Sequence, residues 1–272
     1  MNTHSPLRHA SFLSCLLWGL LTLTSACQTN GVDPTNNGTD TKPGNNTSAS
    51  KAGYVVGTVT DPQGKPLSGA TVYIDNTVYQ GRGAQVSSSA NGTYQVQLVK
   101  GLGQWVAKGY VLKQYHDRIY KLNLDPEDPN SFSEEEKPVR NFQWKLTGHQ
   151  ADLSLDLYYG GTVETFRDPN ANELWDNENI EFTFTPVGPL IDGSTGKTLT
   201  LRFKKRYDSF IKDIPIGRYK VSAIYKPTGE ALRVCDVFND SDYSYSSSVT
   251  VDFTGRESAT RSNMMGIGYT DR

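Results

Sequence analysis

The chain has 272 residues, room for one large or two ordinary domains. Hydrophobic residues make up 36%, and the deficit is gathered near the amino terminus, so the remainder still has the apolar side chains for proper cores. Lys and Arg number 27 against 29 Asp and Glu with no block of positive charge, which argues against nucleic acid as the main partner.

Residues 1–26 read as an export signal. Arg8 and two histidines precede Phe12 to Leu23, an apolar run too short to span a bilayer but right for a signal-peptide core. Thr24-Ser25-Ala26 follow, then Cys27. This arrangement resembles the lipobox of bacterial lipoproteins, in which the cysteine after the signal is acylated and becomes the new amino terminus. The usual Leu three residues before the cysteine is replaced by Thr24, with Leu23 one place further back. The resemblance implies that Cys27 is the lipid attachment site and that the membrane is a partner through that anchor. Residues 27–52 are expected to form a disordered polar tether, because 28–51 contain almost no apolar side chains to offset the entropy of ordering. As a flexible coil this segment would span roughly 25–30 Å.

From Gly53 onward the pattern has period two. Val55, Gly57 and Val59 share a face, as do Ala70, Val72 and Ile74, then Tyr94, Val96 and Leu98, and Phe142, Trp144 and Leu146. Strict alternation bounded by Gly, Pro, Asp and Asn predicts half-buried antiparallel strands. About seven fit between residues 53 and 147, with an acidic insertion at 125–138 before the last, which is the size of a β-sandwich. A second run follows. Leu153, Leu155 and Leu157 alternate, then Ile180, Phe182 and Phe184, then Leu199, Leu201 and Phe203, then Tyr219, Val221, Ala223 and Tyr225, and last Val249, Val251 and Phe253. The chain is therefore expected to be all-β, with two β-sandwich domains at 53–148 and 149–272. With no flexible linker between them, they are expected to pack with restricted motion.

GTVTDPQGKPLSGATVYI, then NGTYQV and WVAKGYV, resemble the carboxypeptidase regulatory-like domain over residues 54–111. The matching positions are Gly57, Val59, Asp61, Gly64, Pro66, Leu67, Gly69, Ala70, Val72, Gly92, Tyr94, Gly109 and Tyr110. The resemblance implies a transthyretin-like (prealbumin-like) first sandwich, closed by the strand in VRNFQWKLTG. Gly64 and Pro66 would shape the first hairpin, Gly69-Ala70 would leave room for close strand approach, and Tyr94 would fill the interior. FIKDIPIGRYKVSAIY carries the family's Pro-x-Gly-x-Tyr turn, so the second sandwich is read as a divergent copy. The resemblance brings no peptidase activity, because the catalytic zinc of carboxypeptidases belongs to another domain. Hydroxyisourate hydrolases share the fold but end in Tyr-Arg-Gly-Ser, where this chain ends GIGYTDR.

Several motifs point to chemistry and fall short of it. Gly196-Lys197-Thr198 matches the tail of a phosphate-binding loop, but Ile191 stands where its first glycine belongs and a strand follows. Asp168, Asn170, Asn172 and Asp176 approach the spacing of a calcium loop, yet Glu173 replaces the turn glycine and Asn179 the bidentate Glu. His116 and His149 lie outside any zinc-peptidase spacing. Cys235 reads as a small buried side chain and not a nucleophile. No catalytic, cofactor-binding or metal residue is assigned. Trp105, Trp144 and Trp175, with Tyr158-Tyr159 and Tyr243-Tyr245, are the candidate sugar platforms, Trp144 being core by periodicity.

The expectation is an exported, lipid-anchored, non-catalytic protein of the bacterial cell envelope with a binding or structural role toward a protein or glycan. Gln28 after Cys27, in place of Asp, points to the outer membrane. The alternatives are a carbohydrate-binding module using exposed aromatics, or a hydrolase in which His116 or His149 meets a carboxylate or Cys235 in a cleft.

Overall fold

The computed structural model describes residues 49–79, 81–150, 156–172, 174–206, 208–255 and 263–272. The export signal, most of the tether, Cys27 and the predicted strand positions Leu153 and Leu155 lie outside the described residues. Asn45–Arg272 forms a compact unit.

Alternation dictates the first half. β1 (Tyr54–Thr60), β2 (Thr71–Asn76), β3 (Ala84–Ser87), β4 (Thr93–Gln97), β5 (Trp105–Tyr115), β6 (Arg118–Pro126) and β7 (Phe142–Trp144) form a sheet in the order β3-β2-β5-β6-β7-β1-β4. The predicted inward sets are buried, save Leu146, which is half-buried. Successive side chains point to opposite faces, so one face of each strand builds the core. β6 pairs with β5 from Arg118 to Asn123, then turns away and pairs with β7 from Leu124 to Pro126. That change of partner folds the sheet into two layers. β1 and β7 run parallel, every other pair antiparallel. Tyr94 fills the interior and its hydroxyl donates to the Arg140 carbonyl at 2.5 Å.

The second half comprises β8 (Gly161–Arg167), β9 (Ile180–Pro186), β10 (Leu199–Leu201), β11 (Phe210–Ile214), β12 (Tyr219–Tyr225), β13 (Glu230–Asp236), β14 (Val249–Val251) and β15 (Met264–Thr270). Its order is β10-β9-β12-β13-β15-β8-β11, with β14 paired to β12. Numbered within each half, and with β14 set aside as an insertion, both sheets run third, second, fifth, sixth, last, first, fourth. The parallel pair again joins first to last strand, here β8 to β15. β13 repeats the partner change of β6: Glu230–Leu232 pair with β12 and Arg233–Asp236 with β15. The second sandwich is a topological copy of the first, as the sequence echo suggested.

Two details differ from the sequence reading. Gly69 has φ +74° with open space around its Cα, so it serves the turn's left-handed backbone and not close strand approach. The close approach is at Gly57, where a Cβ would lie 1.9 Å from the Arg140 carbonyl oxygen. Directed bonds join the sandwiches. The Tyr115 hydroxyl donates to Pro189 O (2.9 Å) and accepts from Arg218 N (3.0 Å). Tyr159 Oη donates to Asp125 Oδ1 (2.6 Å), and Gln63 Nε2 to Asp192 Oδ2 (2.7 Å).

Candidate functional site

The outward side chains of β2, β5 and β6 form the most developed candidate surface. Thr71 pairs with Tyr110, Tyr73 with Lys108, and Tyr110 with Asn123, so pleating sets Tyr73, Lys108, Tyr110 and Asn123 side by side on one face. The Tyr73 and Tyr110 rings lie 6.4 Å apart, tilted by 50°. Lys121 Nζ sits 4.2 Å from the Tyr110 ring centre. Where β6 leaves β5 beyond Asn123 the strands separate, and a cavity of about 100 Å³ opens between Gly109, Leu124 and Pro126. Gln150 from the start of the second sandwich closes it. It accepts from Asn123 Nδ2 at 3.0 Å and donates from Nε2 to Tyr158 O at 2.7 Å. Half-buried aromatic rings beside fixed amides suit a polar ring that stacks and hydrogen-bonds.

The titratable candidates lie apart from one another. His116 occupies the β5–β6 turn at φ 49°, edge-on to Tyr115. His149 does meet a carboxylate: Nε2 lies 3.4 Å from Asp156 Oδ1, while Lys212 Nζ donates to Asp156 Oδ2 at 2.7 Å. The Lys212 bond holds the Asp156 carboxyl below its ordinary range, and the Asp156 carboxylate in turn raises the Tyr158 hydroxyl. This cluster is on the surface, with half the His149 side chain and 61% of that of Asp156 exposed, so solvent screens it. Cys235 is sealed against Gly268 and Tyr245, and burial pushes its thiol up, opposite to what a nucleophile needs.

In the 168–179 loop, side-chain oxygens at three of the four calcium-like positions, Asp168, Asn172 and Asp176, accept hydrogen bonds from within the chain. Asp168 Oδ1 accepts from Asn170 N, and Asp176 accepts from Asn179 Nδ2 and Tyr225 Oη. Asn172 turns toward the carboxyl terminus, its N–H donating to Asp271. Gly193–Thr198 lies in the connection between antiparallel β9 and β10, the hairpin role expected of it. Trp105 and Trp144 are core residues, which removes Trp105 from the sugar platforms. Tyr159, expected near an exposed turn, is buried with its hydroxyl on Asp125. Trp175 is 69% exposed, with Arg167 stacked 3.9 Å from its ring centre. Tyr73 and Gln150 carry no motif in the sequence, and Tyr110 stands there only as a matching position of the family resemblance, not as a binding residue.

The family comparison falls on the first sandwich. Residues 54–111 match the carboxypeptidase regulatory-like domain. The match runs from β1 to the middle of β5 and includes Tyr73 and Tyr110, while Asn123 and Gln150 lie beyond it. No curated protein matches the chain in sequence. Among solved structures, the Bacillus anthracis TIE protein is 13% identical, with a TM-score of 0.31 over 80% of this chain and 33% of its own. The pilus adhesin SpaC from Lactobacillus rhamnosus GG is 9% identical, with a TM-score of 0.24 over 79% of this chain and 28% of its own. A DUF3823 family protein from Bacteroides uniformis is 10% identical, with a TM-score of 0.21 over 74% of this chain and 99% of its own. This chain thus spans about a third of the TIE and SpaC chains.

Proposed function

We propose that this chain is an exported protein, held by a lipid on Cys27 at the bacterial outer membrane, whose two sandwiches at 53–148 and 149–272 bind or support a partner without catalysis. One observation carries the non-catalytic part: the groups that acid–base or nucleophilic chemistry would need are dispersed to separate surroundings. His116 is on a turn, His149 is in a solvent-screened ion cluster, and Cys235 is sealed with a raised thiol. The anchor rests on the signal, the small residues before Cys27 and the polar segment after it. Growth with a radioactive fatty acid is expected to label the wild type and leave Cys27→Ala unlabelled. Label in both, or in neither, rejects the anchor.

A second reading has its own support. Tyr73 and Tyr110, beside Asn123 and Gln150, make a glycan the favoured partner class for this surface. Electrophoresis through polysaccharide-loaded gels is expected to retard the wild type and to retard Tyr110→Ala less. Equal mobility of the two in every polysaccharide rejects the glycan reading.

A further inference from the structure

The first sandwich has two ends, and they expose different chemistry. At one end Gln63 and Tyr115 are bonded into the second sandwich. At the other end lie the entry into β1, the β2–β3 and β4–β5 connections and the 3₁₀ turn Glu134–Glu136. These segments are tied together. Thr77 N donates to Gln104 O at 2.9 Å, Asn76 Nδ2 donates to Leu102 O at 2.9 Å, and Gly101 N donates to Glu134 Oε1 at 2.8 Å. Leu98 N donates to Gly53 O at 2.9 Å, so the β4–β5 connection leaves alongside the point where the chain arrives from Cys27.

Those ties hold apolar side chains outward. Asn76, itself buried, accepts from both Val78 N (3.0 Å) and Tyr79 N (2.8 Å) through Oδ1, which fixes the tip of the β2–β3 connection. Val78 is 69% exposed, Tyr79 52% and Val99 56%. Three of the eight large exposed hydrophobic residues among the described ones therefore sit at this one end. Backbone held in this way gains nothing in the fold by presenting Val78 and Tyr79 to water. A hollow beside Val99, between Ala52–Tyr54 and Gln97–Lys100, continues the apolar surface toward the incoming chain.

We propose that this end of the first sandwich rests on a lipid surface, with Val78, Tyr79 and Val99 entering the headgroup region. The inference builds on the Cys27 anchor, which places a bilayer at the far end of residues 28–48, and it goes further by giving the folded part its own contact and a fixed orientation. Three side chains form a weak interface alone. Attachment at Cys27, 26 residues ahead of Gly53, holds them at high effective concentration over the surface, where a weak contact suffices. Tyr is suited to the interface because its ring is apolar and its hydroxyl stays wet. Charge does not drive the contact: Lys51, Arg82, Lys100 and Lys137 at this end are offset by Asp75, Glu134, Glu135 and Glu136. Binding is therefore apolar and insensitive to salt. The second sandwich, joined at the opposite end, is carried away from the lipid.

The fold lies between Tyr54 and Thr270, inside the compact unit Asn45–Arg272, so that unit lacks Cys27 and still carries the whole core. Co-sedimentation of this unit with zwitterionic phosphatidylcholine vesicles at millimolar lipid tests the proposal free of the anchor. The unit is expected to bind equally at low and high salt, and Val78→Asp/Val99→Asp to bind about tenfold less or weaker still, from the loss of two inserted side chains. The matched control Leu112→Asp/Ile119→Asp, on the exposed β5–β6 face, is expected to bind as the wild type does. No sedimentation of the wild-type unit, loss of binding at high salt, or an equal loss in the control overturns the proposal. Fatty-acid labelling of Cys27 reads the anchor separately, so failure of one is told apart from failure of the other.

Discussion

Gly57→Ala should come close to unfolding the first sandwich. The added Cβ would stand 1.9 Å from the Arg140 carbonyl oxygen and 2.7 Å from Tyr94 Cε1. Carbon and oxygen settle no closer than about 3.3 Å, so the β1 backbone and the segment entering β7 must part by about 1.4 Å. Neither side can yield by rotating a side chain, because the nearest atom is backbone. The parting breaks Arg140 N to Val56 O (2.9 Å) and Val56 N to Pro138 O (3.2 Å), and it displaces the acceptor of the Tyr94 hydroxyl. Three hydrogen bonds at about 0.5–1.5 kcal/mol each, added to about 1–3 kcal/mol of overpacking, give a loss of about 2.5–7.5 kcal/mol. That is a large share of the roughly 5–15 kcal/mol that holds a domain folded. Urea unfolding followed by tyrosine and tryptophan fluorescence measures it. Gly64→Ala is the control, since Gly64 has φ +77° but nothing within 4 Å of its would-be Cβ, and its cost is the left-handed backbone alone, about 1–2 kcal/mol. If Gly57→Ala unfolds at a midpoint no lower than Gly64→Ala, the steric reasoning is wrong.

Tyr115→Phe deletes one hydroxyl that serves both sandwiches, leaving Arg218 N without its acceptor and Pro189 O without its donor. A loss of about 1–3 kcal/mol is expected, read by calorimetry as a melting point lower by roughly 2–10 °C. An unchanged melting point means the join contributes nothing. Gly268→Ala would place a Cβ 2.6 Å from Cys235 Sγ, and Cys235→Ala would vacate that space. The double variant should therefore be more stable than the sum of the single losses predicts, and strict additivity in denaturant melts refutes the contact. Asp176 has its pKa lowered, first by the Asn179 bond, so its stabilising effect is present above the unfolded-state pKa near 3.8 and fades as pH falls through the lower folded value. Asp176→Asn should flatten the acid limb of the stability curve, and an unaltered limb would show the carboxylate is not linked to folding.

How much the sequence reveals depends on how many faces a strand buries. The first sandwich is legible almost throughout because Val55, Val72 and Tyr94 alternate with polar neighbours. β15 carries no such signal. All seven residues of MMGIGYT are buried: Met265, Ile267 and Tyr269 join the core, while Gly266 and Gly268 lie against Phe238 and Cys235 on the other side. A strand covered on both faces has no period of two. β8 hides differently, since its buried phase places a glycine and a threonine on either side of Val163, and Glu164 is buried on the opposite phase. The candidate surface was less legible still. Tyr73 and Tyr110 come together only through the β2–β5 register, and Gln150 arrives from the next sandwich.

The shared strand order explains why the halves can differ so much in sequence. In each, a parallel contact between first and last strands closes the two layers, and in each the first strand carries a glycine at a crowded point. Gly57 abuts the Arg140 backbone, and Gly161 abuts Phe253, whose ring would meet a Cβ at 2.3 Å. A glycine there, plus apolar residues on one phase, satisfies most of the fold; away from the left-handed turn glycines and the doubly covered β15, the turns and outward faces are left unconstrained. The halves diverge in those unconstrained places: β14 and the segment over Cys235 in the second sandwich, the Val78–Tyr79 tip and the Tyr73–Tyr110 face in the first. The geometry common to both copies is what folding requires, so the proposed binding role falls to what they do not share. A ligand or surface for this protein should therefore distinguish the two sandwiches, touching the first through residues that have no counterpart in the second.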